Sequence, residues 1–118
     1  MKNISFLLTT QQIRDRTKTV TRRLNWHGLP VGTLLQGCVK TQGLKRGEKV
    51  QPLAVIEVVS VRWELLSRLE SEHVYGDSEA LKEGFPLLSG KQFLQLFMMH
   101  MKCHSGVSVN RIEFKYVD

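Results

Sequence analysis

The segment 14–23, Arg-Asp-Arg-Thr-Lys-Thr-Val-Thr-Arg-Arg, holds the densest set of side chains in this chain that could take part in chemistry. Five of its ten residues are cations, and three threonine hydroxyls are interleaved with them. Cationic groups beside hydroxyls can hydrogen-bond phosphate, sugar and carbonyl oxygens together. We therefore predict a binding or reaction site here, although the same composition is also typical of a solvated strand edge.

Within this segment, Lys18-Thr19-Val20-Thr21-Arg22-Arg23 resembles the Lys-Thr-x-Thr-Arg-Arg signature of ASCH-domain proteins. Further blocks that resemble the family follow in the family's order, at residues 43–50, 55–62, 83–86 and 109–114. The resemblance extends across nearly the whole chain and is closest to small uncharacterised ASCH proteins of bacteria and their phages. It implies an α+β fold, a small PUA-like β-barrel of about five strands with short helices inserted, and a cleft beside the signature.

The resemblance also implies chemistry that concerns RNA or a modified nucleoside. Members of the superfamily are associated with RNA binding, and the most clearly enzymatic relatives are small amidohydrolases that remove the acetyl group from N4-acetylcytidine. In those enzymes a threonine is the nucleophile, a lysine three residues before it accepts a proton, and a distant glutamate donates one. The resemblance assigns these roles to Thr21, Lys18 and Glu83. The chain is longer than those enzymes before its last long helix, so Glu79 and Glu72 remain alternatives for the acid.

The assigned roles set chemical conditions that can be stated from the residues alone. A threonine hydroxyl is a poor nucleophile until a base takes its proton, and a lysine can do so only in its neutral form. Burial and the neighbouring Arg22 and Arg23 lower a lysine pKa, which is the useful direction. Glu83 would have to be protonated, which requires an apolar pocket. The apolar residues that could line one are Trp26, Phe85 and Pro86.

The spacing of Lys18 and Thr21 sets a geometric condition as well. In a straight strand, residues three apart point to opposite faces. Catalysis therefore requires a bend or a helical turn between them. In the alternative interpretation, Thr19 and Thr21 lie on a β-edge while Lys18 points to solvent.

Other residues favour binding over acid–base work. Arg22 and Arg23 stay charged and suit a substrate or RNA contact. Trp26 could stack on a base, together with Tyr75, or could be part of the core. The basic turn that contains Lys45 and Arg46 could contact an RNA backbone, or it could be a solvated loop. A non-catalytic RNA- or nucleotide-binding module, or a ribonuclease, is therefore the alternative to an amidohydrolase.

The apolar pattern predicts five strands that would position these side chains. Residues 53–62 form a nearly continuous apolar run, which predicts a central strand that is buried on both faces. Closure into a partly closed barrel would protect the strand edges. The predicted extended segments are residues 3–8, 18–24, 33–39, 53–62 and 107–117, with a hairpin-like turn at 43–49.

Short helices are predicted between the strands. Thr9 or Thr10 can cap a helix that runs through Arg16. Ser89 can cap a longer helix that ends near Met101, with an apolar face at i, i+3, i+4 and i+7 spacing. Further helical turns are predicted at residues 64–72 and 78–82.

Composition narrows the remaining possibilities. A chain of 118 residues is the size of one domain, so we expect a single domain over residues 1–118. The net charge of +6 favours polyanionic partners. No apolar run reaches membrane-spanning length and no signal peptide is evident, which predicts a cytoplasmic protein without membrane contact.

No cofactor and no metal are predicted. The chain lacks the usual phosphate-loop, Cys-x-x-Cys and His-Glu-x-x-His motifs. The cluster His100-Met101-Lys102-Cys103-His104 is better explained as a cationic helix end than as a zinc site. Cys38 and Cys103 are expected to be free thiols. The oligomeric state does not follow from the sequence.

Overall fold

The computed structural model describes all 118 residues, and its five strands form one mixed sheet that curls into a half-barrel. The sheet order is β1-β3-β4-β5-β2, in which β1 and β3 are parallel and every other pair is antiparallel. This confirms the predicted α+β fold with five strands. The strands are β1 (Lys2–Ser5), β2 (Val20–Arg23), β3 (Leu34–Cys38), β4 (Pro52–Leu65) and β5 (Ser108–Tyr116).

Four α-helices and one 3₁₀ turn connect the strands. The helix after residue 89 begins with a complete capping box, in which the Ser89 hydroxyl accepts from the Gln92 amide and the Gln92 side chain accepts from the Ser89 amide. The predicted cap is thereby confirmed. The elements are a 3₁₀ turn (Leu7–Thr9), α1 (Thr10–Arg14), α2 (Arg68–Ser71), α3 (His73–Lys82) and α4 (Gly90–Met101).

The first predicted strand and helix are shorter in the structure than in the sequence analysis. β1 ends at Ser5, and the 3₁₀ turn that follows leaves Leu7 and Leu8 exposed. The Thr10 hydroxyl donates to the Phe6 carbonyl and does not cap a helix, and α1 ends at Arg14. Phe6, which is fully buried, fixes this turn because its ring must enter the core.

The central strand β4 is buried on one face and not on both, so that prediction was wrong. Ala54, Ile56 and Val58 are buried, whereas Val59 remains 39% exposed. The strand is antiparallel to both of its neighbours, and such strands commonly alternate between core and solvent. A bulge between Val58 and Ser60 shifts the register with β5.

Two apolar clusters form the interior. The first lies inside the curled sheet and is centred on Ile56, Val58, Ile112 and Phe114. The second lies between the helices and the end of β5 and contains Leu69, Phe93, Leu94, Phe97 and Val109. The predicted helix at 64–72 proved too long at its start, because Glu64 and Leu65 continue β4 and only Arg68–Ser71 is helical.

None of the four α-helices combines the length and the apolar composition that crossing a bilayer requires. Cys38 and Cys103 are both free, and Cys38 is buried in the sheet. No three His, Cys, Asp or Glu side chains lie close enough to hold a metal ion, and this includes the residues around His100.

Candidate active site

A cleft opens where the half-barrel fails to close, between the two edge strands. One wall is the chain from Ser5 to Thr9, just after β1, and the opposite wall is β2 with the residues before it. Helix α4 covers the side with Phe93, Leu96 and Phe97. The cavity volume of about 130 Å³ is small beside the ~300–1,000 Å³ of pockets for drug-sized ligands. It suits one ring or one acyl group.

Lys18 and Thr21 both line this cleft, although a straight strand would separate them. The chain reverses at Arg16, whose φ of 62° is left-handed, and β2 begins only at Val20. Lys18 therefore precedes the strand, and its side chain does not follow the alternation of β2 side chains between the two faces of the sheet. Both side chains are buried, each residue with 3% of its surface exposed. This is the bend that the spacing required.

The Lys18 ammonium contacts Glu83 twice. Nζ donates to Glu83 Oε1 at 2.7 Å and to the Glu83 carbonyl oxygen at 2.8 Å. The backbone supports the pair, because the Thr19 amide donates to the Lys82 carbonyl at 2.9 Å. Burial lowers the pKa of Lys18 and outweighs the opposite effect of Glu83, while Arg23 and Arg22 lower the pKa further.

The end of α3 places Glu83 in the cleft. The helix ends at Lys82, and Gly84 reverses the chain with a φ of 100° that few other residues would adopt. Glu83 is 2% exposed. Its second carboxylate oxygen, Oε2, accepts from Arg22 Nη1 at 3.0 Å. Both oxygens of Glu83 are therefore held by cations.

Arg22 is bound entirely by carboxylates. Besides Glu83, its Nε donates to Glu64 Oε1 at 2.9 Å and its Nη2 donates to Glu79 Oε1 at 2.7 Å. Burial opposes ionisation, but Glu83, Glu64 and Glu79 together raise its pKa above the ordinary arginine value. Because the side chain is fully buried and paired, its geometry suits the positioning of Glu83 better than the ligand contact expected from the sequence.

A second buried arginine completes the network behind the cleft. Arg111, in β5, pairs with Glu79 through Nε and Nη2. On the outer side, the Tyr75 hydroxyl donates to Glu64 Oε2. Sequence reasoning did not identify Glu64 or Arg111 as site residues. Each is one of several charged residues in its strand, and no local pattern distinguished it.

Glu79 provides a test of this network through pH. Burial alone would raise its pKa, but hydrogen bonds from Arg111 and Arg22 lower it from 4.5 to about 2. A lowered carboxyl pKa stabilises the fold above the unfolded pKa, and this contribution disappears as pH falls through the folded value. We expect Glu79→Gln to lower the free energy of unfolding by roughly 3 kcal/mol at pH 7, measured by urea denaturation. The deficit should shrink between pH 4.5 and 2.

Glu70→Gln is the matched control for that prediction. Glu70 is exposed, and its carboxylate forms a long, 3.9 Å ion pair with Lys91 at the surface. Such exposed ion pairs contribute about 0–1 kcal/mol. An equal deficit in both variants, or one in Glu79→Gln that does not change with pH, would contradict the network.

Arg23 lies on the same face of β2 as Thr21. Its Nε donates to Thr21 Oγ1 at 3.1 Å, and its Nη2 donates across the gap to the Ser5 carbonyl at 2.6 Å. The guanidinium carbon lies 5.1 Å from the centre of the Phe6 ring. Burial lowers the pKa of Arg23 to about 10, against a weak opposite effect of Glu83. The side chain joins the two edge strands of the sheet.

Several residues singled out in the sequence lie outside the cleft. Trp26 packs against the core cluster of the sheet, with Lys2 Nζ 4.1 Å from its ring centre. Lys45 and Arg46 are exposed in the turn between β3 and β4. Glu72 is exposed and pairs with Arg68, so it is not positioned to act with Lys18. Of the three apolar residues expected to line a pocket, only Phe85 does so, and Tyr75 lies behind Glu64.

This protein has the five-stranded half-barrel fold with inserted helices that is the architecture of ASCH domains. The ASCH domain from Lactobacillus crispatus JV V101 superposes with a TM-score of 0.57 at 18% identity, over 98% of this chain and 78% of that one. Protein EF3133 of Enterococcus faecalis V583, of family DUF984, gives 0.62 at 18% identity, over 94% and 68%.

A third structure, the hypothetical protein PH0355, has a TM-score of 0.61 at 13% identity and is covered over 96% of its length by 98% of this chain. No protein-family model matches the sequence, and no curated protein matches it. At these identities the likeness establishes the fold, and the activity has to be argued from the site.

Proposed function

We propose that the protein hydrolyses a small amide on a modified pyrimidine nucleoside, of which N4-acetylcytidine is the prototype. The observation that carries this proposal is the 2.7 Å contact between Lys18 Nζ and Glu83 Oε1 inside a cleft that also contains Thr21. A base, an acid and a hydroxyl nucleophile are the three groups that acyl transfer from an amide needs. The family resemblance assigns the base and nucleophile roles to Lys18 and Thr21, and prefers Glu83 for the acid.

The contact between Lys18 and Glu83 prepares both groups at once. Transfer of one proton from the ammonium to the carboxylate converts the ion pair into a neutral amine and a neutral acid. The amine can then accept the Thr21 proton, and the acid can donate to a leaving nitrogen. The lowered pKa of Lys18 favours this neutral form.

The reaction then follows in two balanced steps. Thr21 Oγ1 bonds to the acyl carbon while its proton passes to Lys18, and the C–N bond breaks as Glu83 protonates the leaving amine. Water next attacks the acyl-threonine ester and loses one proton to Glu83, while Lys18 returns its proton to Thr21 Oγ1 as the ester bond breaks. The products are the free amine and a carboxylic acid.

The apolar wall of the cleft supports this chemistry. Phe85, Phe93 and Phe97 offer ring faces and edges to a flat base or an acyl group. They also exclude water, which strengthens the electrostatic interactions inside. A volume of about 130 Å³ limits the buried part of a substrate to one such group.

The proposal is tested by chromatographic turnover of N4-acetylcytidine and related N4-acyl cytosines. Lys18→Arg keeps the charge but removes the group that could become a neutral base. We expect hydrolysis by the wild type and a loss of at least about 10²-fold in kcat for Lys18→Arg. Lys115→Arg, at a 61% exposed side chain paired with Glu57, is the control and should retain wild-type activity.

A second candidate function is RNA or nucleotide binding without chemistry. It is favoured by the exposed cations Lys45 and Arg46, which have no carboxylate partner, and by the net charge of +6. Such a site would bind RNA with an affinity that falls steeply as salt increases. Salt-sensitive RNA binding by a folded protein that turns over none of the amides would reject the enzyme in favour of this module.

A further inference from the structure

Arg23 is the cation of the cleft that lacks a carboxylate partner. Four buried or half-buried cations surround three buried carboxylates, and the other three cations all form ion pairs. Arg23 forms none, although burial has already lowered its pKa to about 10. A largely desolvated charge without a counterion is unfavourable, and an anion would relieve that cost. The cations are Lys18, Arg22, Arg23 and Arg111, and the carboxylates are Glu64, Glu79 and Glu83.

The guanidinium of Arg23 has one free end. Nε is bonded to Thr21 Oγ1 and Nη2 to the Ser5 carbonyl, whereas Nη1 has no protein partner. Every buried side-chain nitrogen and oxygen in the protein has a hydrogen-bond partner. Nη1 is therefore accessible, and its N–H groups are available to a ligand in the cleft that Arg23 lines.

The two bonds that Arg23 makes also fix its orientation. A guanidinium is planar and rigid, so two hydrogen bonds through Nε and Nη2 leave it little freedom to rotate. The contact with Phe6 holds one face of the plane. The free donors are therefore preorganised on the edge of the guanidinium opposite the Nε–H that contacts Thr21.

We propose that the free end of Arg23 is an anion site that holds the carboxylate product of amide hydrolysis, an inference that rests on the function proposed above. The ligand class is a small carboxylate, whose apolar tail contacts residues such as Leu7, Leu8 and Phe97. Arg23 is thus a product-binding residue and not a phosphate contact.

The binding test uses acetate and needs no turnover. Acetate is titrated into the wild-type protein at constant ionic strength, and the Arg23 Nε–H and Thr21 methyl signals are followed by NMR. We expect saturable shifts at both signals, lost in Arg23→Gln and weakened on the order of tenfold in Arg23→Lys, which keeps the charge without the fork. Arg46→Gln removes the same charge from an exposed turn outside the cleft and should bind acetate as the wild type does.

The catalytic test uses the same variants. Arg23→Gln is expected to weaken inhibition of N4-acyl cytosine hydrolysis by acetate at least about tenfold, because the product site loses its cation. Arg46→Gln should leave this inhibition unchanged. If Arg23→Gln does not fold, the wild-type titration and Arg23→Lys still decide the question.

The outcomes separate this proposal from the previous one. Acetate binding at Arg23 without any amide turnover would reject the amidohydrolase function and support the anion site. Acetate inhibition that Arg23→Gln leaves unchanged, or acetate shifts that do not saturate at Arg23, would overturn the anion site. Inorganic phosphate, titrated in parallel, is expected to bind more weakly than acetate, and a stronger phosphate response would overturn the assignment to a carboxylate.

Discussion

Replacing Thr21 by alanine is expected to lower kcat for N4-acetylcytidine hydrolysis by at least about 10³-fold, since the variant has no atom to form the acyl ester. The change should scarcely affect folding. Thr21 accepts one hydrogen bond, from Arg23, and the loss of such a bond costs about 1 kcal/mol. Loss of rate without loss of fold would separate a nucleophile from a structural hydroxyl.

The neighbouring threonine offers a matched control. Thr19 lies two residues away and does not line the cleft, and its backbone amide, which bonds to the Lys82 carbonyl, is unchanged by Thr19→Ala. That variant should keep wild-type kcat, and Thr21→Ser should keep measurable activity because it retains the hydroxyl. Mass spectrometry of the quenched reaction should detect an acetyl group on the wild type and on Thr21→Ser. Full activity of Thr21→Ala would end the nucleophile assignment.

The largest expected effect on stability comes from Gly76, where α3 crosses the start of α4. A Cβ at Gly76 would lie 2.9 Å from the Leu69 carbonyl carbon and 3.2 Å from Gly90 Cα, with the Leu69 oxygen closer still. The obstacles are backbone atoms, which cannot rotate away. Ala is favoured over Gly inside a helix by about 1 kcal/mol, but overpacking commonly costs 1–3 kcal/mol or more.

We therefore expect Gly76→Ala to lower the free energy of unfolding by at least about 3 kcal/mol, measured by urea denaturation at pH 7. Gly106→Ala is the control, because the atoms nearest to its Cβ, at 3.1 Å, belong to the exposed side chain of His104. It should cost well under half as much. A neutral or stabilising effect of Gly76→Ala would mean that the helices do not cross as closely as described. The clash matters for function, since α3 carries Glu83 at its end.

The predictions that were confirmed depend on local chemistry. The Ser89 cap and its Gln92 partner are three residues apart. The five strands follow from alternation, β-branched residues or apolar runs over a few residues each. The predictions that were wrong depend on which distant parts of the chain pack against a segment. The exposed face of β4 and the early end of β1 at Ser5 both follow from where the core lies, which a run of apolar residues does not specify.

The candidate site could be predicted in part, because the family resemblance already indicated Lys18 and Thr21, and preferred Glu83 over the alternatives Glu79 and Glu72. The structure brings these three into one cleft, although Glu83 lies 65 residues beyond Lys18. Glu64 and Arg111 could not be inferred, since each is one of several charged residues in its strand and nothing local indicates its partner. Trp26 shows the opposite case, because an aromatic residue suited to stacking was instead packed against the core.

Arg22 and Arg23 show what the sequence determined and what only the tertiary structure decided. Their chemistry, their adjacency and their place in a strand are all evident from the sequence, and so is the alternation that turns neighbouring side chains to different sides. Their roles differ because distant segments reach only one of them. Three carboxylates, from β4, from α3 and from the residue after α3, neutralise Arg22. Arg23 instead lies at the gap between the two edge strands, β1 and β2, which do not pair with each other. Long-range strand pairing thus decides which arginine remains available to a ligand, and no local sequence pattern indicates this.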